Sequence, residues 1–288
     1  MIVVKLFGGL GNQMFQYSLG RHLSFIHKTS LMLDTCYFKE DKLRKYSLDP
    51  FKIRAVKDFD NELRFYRKTY LVRFNNILSK ALPFLFKYKI IYENNLFYDP
   101  NILSFPDNIY LIGYWQSEKY FSNIRNIIKD DFTLKIKTRH LNRLLDLINR
   151  CNSVSIHIRR GDFVNNKDTN KYHGICDLGY YHSAVNIISK KLCNVSYFVF
   201  SDDIAWAKEN LKLKGRVTFI DKKYKLEDFE QMMAMSCCKH NIIANSSFSW
   251  WGAWLNQYKN KIVISPKKWL NDKHFNTKDL IPENWIKI

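Results

Sequence analysis

The sequence predicts an α/β protein of two doubly wound, Rossmann-like domains facing a cleft. Three observations carry that prediction. Short apolar strands alternate with helical stretches from one end of the chain to the other. Several of these strands end in glycine, arginine or serine turns of the kind that receive a ligand at the carboxyl edge of a parallel sheet. The 288 residues, 46% of them apolar, are enough to build two cores of ordinary size.

The opening segment sets the pattern. Ile2–Phe7 reads as a strand, Gly8–Gln13 as a glycine turn, Met14–Ile26 as a helix and Leu31–Asp34 as a second strand. This is a βαβ unit, in which glycines admit close backbone approach and a helix start offers N–H groups. The spacing is G-G-x-G-N rather than G-x-G-x-x-G, so a tight turn and a ligand loop remain alternatives. Residues 55–88 carry Phe59, Leu63, Tyr66, Tyr70, Phe74, Ile77, Ala81 and Leu85 on one helical stripe. Residues 39–90 hold 14 Lys/Arg against six Asp/Glu. This helix is either a core helix with a solvated basic back or an amphipathic helix that lies on an anionic bilayer. Leu111–Phe121 reads as a strand entering a loop; its Tyr114, Trp115 and Gln116 suit sugar stacking and hydroxyl recognition, or a buried aromatic cluster. Residues 120–150 read as helical, and their end marks the predicted division into domains 1–150 and 151–288.

The second half opens on the most informative segment, Ser153–Asp162. Its β-branched alternation predicts a strand, and the strand runs into Arg159-Arg160-Gly161-Asp162. Paired guanidinium groups match phosphate oxygens two at a time, and they keep their charge when partly desolvated. Solvated surface charge is the alternative. Further along, Tyr180–Leu192, Leu226–Cys238 and Phe248–Leu255 read as helices. Tyr197–Phe200, Val217–Asp221, Asn241–Asn245 and Lys261–Ser265 read as strands. Ser201 is placed to cap the following helix, and Asp202-Asp203 to stand in its first turn, a place that favours a helix-start role over the alternative of a metal turn. Ser246-Ser247, at a strand–helix junction, offer hydroxyl and backbone donors to a phosphate.

Bulk properties narrow the chemistry. The net charge of +19 implies anionic company. No apolar run is long enough to span a bilayer, and the first residues read as a strand rather than a signal peptide. Six scattered cysteines without a C-x-x-C pair predict reduced thiols in a cytosolic protein, and no ligand cluster has zinc spacing. The basic residues accompany no nucleic-acid-reading motif, so a nucleic-acid partner is not expected.

Taken together, Gly8–Gln16, Gly113–Ser117, His157–Asp162, Phe200–Asp203 and Ile243–Gly252 resemble the bacterial α1,2-fucosyltransferases of glycosyltransferase family 11, in order over residues 1 to about 270. The resemblance implies a GT-B-like fold with an acceptor-side N-terminal domain and a donor-binding C-terminal domain. It implies inverting transfer of L-fucose from GDP-fucose to a galactose 2-hydroxyl, without metal or other cofactor. The acceptor would be a galactose-terminated glycan such as lactose or a lipid-linked oligosaccharide in O-antigen assembly. By the same similarity, Arg159 and Arg160 hold the pyrophosphate, His157 meets the guanine or ribose, and Ser246 and Ser247 add phosphate donors. Asn12, beside Gly11 in the donor-side glycine turn, reaches the reacting end across the cleft; the chemistry of Tyr114, Trp115 and Gln116 themselves puts these three on the acceptor side. Asp162 is the first candidate for general base, with Asp168 and Asp177 behind it. Gln231 stands where relatives carry an aspartate that reads guanine, with Asp228 and Glu230 as neighbours able to replace it. The enzyme is expected in the cytoplasm, with peripheral contact to the inner membrane through the basic segment.

Overall fold

A computed structural model describes residues 1–57, 63, 87–161, 174–271 and 276–288. The chain divides into two compact units. The first comprises Met1–Lys135 with Lys278–Leu280, the second Ile136–Thr277 with Ile281–Ile288. The division anticipated at 150/151 falls just after a helix that belongs with the second unit. Most of the helix expected over 55–88, together with its membrane contact, lies outside the described residues. Among the described residues no helix is long and apolar enough to cross a membrane.

The first unit is built on a five-stranded sheet in which every pairing is parallel: β1 (Ile2–Lys5), β2 (Leu31–Asp34), β3 (Val56–Lys57), β4 (Lys89–Tyr92) and β5 (Ile109–Ile112). Their order across the sheet is β3-β2-β1-β5-β4. Strand β1 sits centrally, which is why Ile2, Val3 and Val4 are all fully buried rather than alternating. Helix α1 (Leu10–Ile26) connects β1 to β2. It begins at Leu10, not at Met14. Gly8 and Gly9 alone make the turn, while Gly11, Asn12 and Gln13 already form the first helical turn. The two following amides explain the early start. Gln13 Nε2 donates to the carbonyls of Gly8 and Lys45, both at 2.9 Å, and Gln16 Oε1 accepts from Phe7 N at 3.1 Å. Short α2 (Tyr37–Glu40) follows β2. Residues 120–150, read as one helical stretch, instead form a 3₁₀ turn, α3 (Arg125–Asp131) and, in the second unit, α4 (Arg139–Asn149). Thr138 starts α4 by accepting from Leu141 N at 3.1 Å, and Leu141, Leu144, Leu145 and Ile148 make its buried face.

The second unit carries a six-stranded parallel sheet: β6 (Asn152–Ile158), β7 (Val195–Ser201), β8 (Arg216–Ile220), β9 (His240–Ile242), β10 (Val263–Ser265) and β11 (Ile286–Lys287). Read from its far edge the order is β8-β7-β6-β9-β10-β11. That is the 3-2-1-4-5-6 Rossmann order, whose winding direction reverses between β6 and β9. Helices α5 (Leu178–Lys191), α6 (Ile204–Asn210), α7 (Asp228–Cys237) and α8 (Ser247–Leu255) supply the crossovers. The core joins Val154, Ile156 and Ile158 of β6 to Tyr197, Val199, Ile242 and Ile264 of neighbouring strands. Trp250, Trp251 and Trp254 are buried against one another and against Trp285. The aromatic half of the Ser246–Trp254 motif is therefore core, leaving its serines at the helix start. The edge strand β11 was not anticipated; two residues between Trp285 and the chain's last isoleucine give too little pattern to read.

Candidate active site

Open α/β sheets bind ligands beyond the carboxyl ends of their strands where the winding reverses. In the second unit that point lies between β6 and β9, and the predicted donor residues gather there. Strand β6 delivers His157, Arg159 and Arg160. Strand β9 leads through Asn245 into Ser246 and Ser247 at the start of α8. The His157 ring lies 5.4 Å from the Phe248 ring, so the two sides of the reversal touch.

Each arginine is held. Arg159 Nη1 pairs with Asp202 Oδ2 at 2.9 Å. The Arg160 guanidinium lies over the Trp206 ring, 3.7 Å from its centre, and its Nε stands 3.5 Å from Asp203 Oδ2, an ion-pair distance too long for a directed hydrogen bond. Asp202 also fixes the backbone that carries them. Its Oδ1 accepts from Arg160 N at 2.9 Å and its Oδ2 from Gly161 N at 3.0 Å. A Cβ at Gly161 would stand 2.8 Å from Asp202 Oδ2, so any larger residue there would push against the carboxylate. Asp203, not Ser201, caps α6, accepting from Trp206 N at 3.2 Å; Ser201 Oγ accepts from Asp203 N at 3.0 Å. The acidic pair thus serves the arginines and a helix end.

His157 is buried and its Nδ1 has no partner among the described residues. Burial first, and Arg159 second, push its pKa down to about 3, so the ring is neutral at physiological pH. Ser246 precedes α8 without capping it through its side chain, and no acidic residue stands in the first turn. The helix start therefore keeps its partial positive charge for an outside anion.

The winding of the first sheet reverses between β1 and β5, and the predicted first-unit residues gather there. Gln116 Nε2 donates to Asn12 Oδ1 at 2.8 Å, joining the segment after β5 to the first turn of α1. Gly11 is buried inside that turn. Of the three predicted acceptor residues, Tyr114 is 38% exposed, with its ring 4.8 Å from Phe7. Trp115 is buried and packs edge-on against Tyr120, so the exposed ring at this edge is Tyr114.

Sequence reasoning missed Glu93, immediately after β4. Its Oε2 accepts from Tyr114 N at 2.7 Å and its Oε1 from Trp115 N at 2.9 Å. Burial raises its pKa to about 7 against the opposing pull of those two N–H groups. Trp206 and Glu93, and the grip of Asp202 on the arginine loop, show themselves only once strand order is known.

Asp162 and Asp168 lie outside the described residues. Asp177 caps α5, accepting from Tyr180 N at 2.8 Å. Glu230 is buried and engaged twice: it receives Glu227 N in a capping box and the Thr138 hydroxyl at 2.6 Å. That leaves exposed Asp228 as the available acid near Gln231. Among the described residues no group of three or more His, Cys, Asp or Glu is placed to hold a metal ion.

Comparison with known proteins gives the family and the fold. The family model for glycosyl transferase family 11 matches residues 1–288. An Escherichia coli alpha-1,2-colitosyltransferase is 36% identical over 100% of this chain and 99% of its own length. The E. coli O-antigen biosynthesis glycosyltransferase WbnK is 30% identical over 98% of this chain and 99% of its own. Among solved structures, a mutant of Arabidopsis thaliana FUT1 in complex with GDP shares the fold, with a TM-score of 0.55 at 12% identity, covering 91% of this chain and 69% of that one. With a parallel Rossmann-order sheet, an arginine pair and a serine-started helix at its point of reversal, and a match along its whole length, the chain belongs to glycosyltransferase family 11, the enzymes of fucosyltransferase type.

Proposed function

We propose that this glycosyltransferase moves L-fucose from GDP-fucose to the 2-hydroxyl of a galactose residue, with inversion at the sugar carbon. The acceptor 2-oxygen attacks C1 as the C1–O bond to the diphosphate breaks. GDP departs with the bonding electrons and the hydroxyl proton passes to a general base, for which Asp162 remains the first candidate. One observation carries the donor half of this reading. Arg159 and Arg160, each braced by an aspartate, share one sheet reversal with the uncapped start of α8. Fixed positive charge of that kind stabilises a departing diphosphate without a metal ion, because it needs no reorganisation as charge develops. Ser246 and Ser247 add donors beside it. Neutral His157 is suited to a ribose hydroxyl or a base edge rather than to phosphate. The acceptor would enter at Tyr114 and Gln116 of the first unit, beside Asn12.

The test is incubation with GDP-fucose and lactose in the presence of EDTA. Release of GDP and a 2′-fucosylated product are expected; no GDP release with any galactoside would end the proposal, and activity only with added metal would end its metal-free part.

A second donor has specific support, since a relative 36% identical along the whole chain is a colitosyltransferase. Colitose differs from fucose in lacking the 3-hydroxyl. A pocket built to hydrogen-bond that hydroxyl would reject the deoxy sugar by about 10⁴-fold or more in kcat/KM, whereas a pocket that leaves it unbonded would not. Comparing the two GDP-sugars separates the readings.

A further inference from the structure

We propose that Glu93 is a positioning residue for the acceptor. In this proposal its carboxylate grips two successive backbone N–H groups and so sets the Tyr114-Trp115-Gln116 turn in the conformation that receives the acceptor sugar. The proposal rests on the reading that this turn is the acceptor side, and it names what builds that side.

Five observations support it. The grip is two-pronged and short, 2.7 Å to Tyr114 N and 2.9 Å to Trp115 N. The turn it holds is one the chain resists: Trp115 has φ +57°, in the left-handed region that non-glycine residues rarely occupy. Its buried indole N–H also finds no partner among the described residues, so Trp115 is not held there by its own side-chain hydrogen bonding. The space for the grip has been cleared, since a Cβ on Gly113 would lie 2.4 Å from Glu93 Cβ and 2.8 Å from Trp115 Cε2. Immediately after this strained residue stands Gln116, whose amide is aimed at Asn12 Oδ1. Release of Trp115 from its left-handed conformation would swing that amide away and lower the exposed Tyr114 ring with it.

A charge-state dependence follows from the same contacts. An ionised carboxylate accepts both N–H groups; a protonated one spends one oxygen as an O–H and loses part of the grip. Burial brings this change close to neutral pH, at about 7. Among the described residues, the ionisable groups that face Glu93 are the phenols of Tyr114 and Tyr120, both raised by burial and so neutral throughout this range. The turn should therefore tighten as pH rises through 7.

The experiment compares wild type with Glu93→Gln, Glu93→Asp and Gln116→Ala, using GDP-fucose and lactose. Glu93→Gln is expected to raise the lactose KM about tenfold, the scale of one lost charge-assisted bond, with the donor KM unchanged. In the wild type the lactose KM should fall as pH rises from 6 to 8, and in Glu93→Gln it should stay flat. Glu93→Asp, one methylene short, should fall between them. A lactose KM within twofold of wild type in Glu93→Gln, while Gln116→Ala raises it, overturns the role of Glu93 and spares the reading of the turn. No change in Gln116→Ala overturns the reading of the turn itself. Amide hydrogen exchange gives a readout that needs no acceptor. Peptides spanning 113–116 should exchange about tenfold faster in Glu93→Gln, with those of β1 and β5 unaffected. Unchanged protection at 113–116 would refute the grip whatever the substrate.

Discussion

The two sheet reversals are wired alike and charged differently. In each, the last residues of two neighbouring strands are paired, Ile158 with Ser201 and Ile112 with Tyr92. The residue one beyond the outer strand is acidic, Asp202 or Glu93. It accepts the N–H groups two and three residues beyond the inner strand, Arg160 and Gly161 or Tyr114 and Trp115. A glycine beside each grip makes room for the carboxylate. Asp202 also faces a guanidinium, and the loop it holds presents two arginines. Glu93 is shifted by burial and by the two N–H groups alone, and the loop it holds presents a phenol and an amide. A parallel sheet offers one inexpensive way to fix the loop after a strand, and the side chains hung on that loop decide the ligand. Cationic ones suit a nucleoside diphosphate, whereas neutral hydrogen-bonding ones suit a polyol.

The largest break of this comparison should come from the arginines themselves. Arg159→Ala and Arg160→Ala are each expected to lower turnover by about 10²–10³, the usual loss when one preorganised charge stabiliser is removed. Arg160→Lys should recover little, because an ammonium is not planar and does not fork onto two oxygens. Steady-state rates on lactose measure both.

Next come the grips. Asp202→Ala removes two backbone hydrogen bonds and one ion pair of Arg159, which should cost about 1 kcal/mol of stability and roughly tenfold in GDP affinity. Glu93→Gln should leave GDP affinity untouched. A matching loss of GDP affinity in both variants would mean that the two grips do not serve separate ligands.

Alanine at the paired glycines sharpens the contrast. In Gly113→Ala the new methyl meets Glu93 Cβ, an atom close to the backbone. In Gly161→Ala it meets the outer oxygen of Asp202, a side-chain end that can turn. Gly113→Ala should therefore be the more destabilising, by about 1–3 kcal/mol, read from thermal unfolding.

The smallest effects are in pH. His157 has its pKa lowered to about 3, so the unfolded chain binds its proton first as pH falls. Its stabilising contribution is present above about 6.5 and is lost between there and 3. Glu93 is raised to about 7, which is the opposite sign. Its contribution is complete below the ordinary carboxylate range and is lost as pH rises through 7, just as the grip becomes strongest. Melting temperatures of His157→Gln and Glu93→Gln against wild type, from pH 4 to 8, should diverge at opposite ends of that range.

How much of this was legible in the sequence depends on whether the signal was local. The strand into Arg159-Arg160 could be read because β-branched alternation and two adjacent cations are unusual side by side. The Ser246-Ser247 junction could be read because a serine pair between a strand and an aromatic helix has few other uses. Gly8–Gln13 was half read: the glycines were seen, but α1 starts inside the motif because Gln13 and Gln16 tie the turn down. For Trp115 the sequence allows a sugar-stacking aromatic or a buried cluster, and its packing edge-on against Tyr120 is the second of these. Glu93 and Asp202 could not be assigned, since a carboxylate after a strand means nothing until the neighbouring strand is known, and β4 pairs with β5 only through the fold. The expectation for 55–88 concerns residues mostly outside those described.

The central claim is that a nucleoside diphosphate is held by the arginines beyond β6. Calorimetric titration of GDP into the Arg160→Ala protein tests it without reference to sugar or acceptor. Affinity should fall at least a hundredfold with the melting temperature within a few degrees of wild type. GDP binding at wild-type strength in that folded variant would contradict the account.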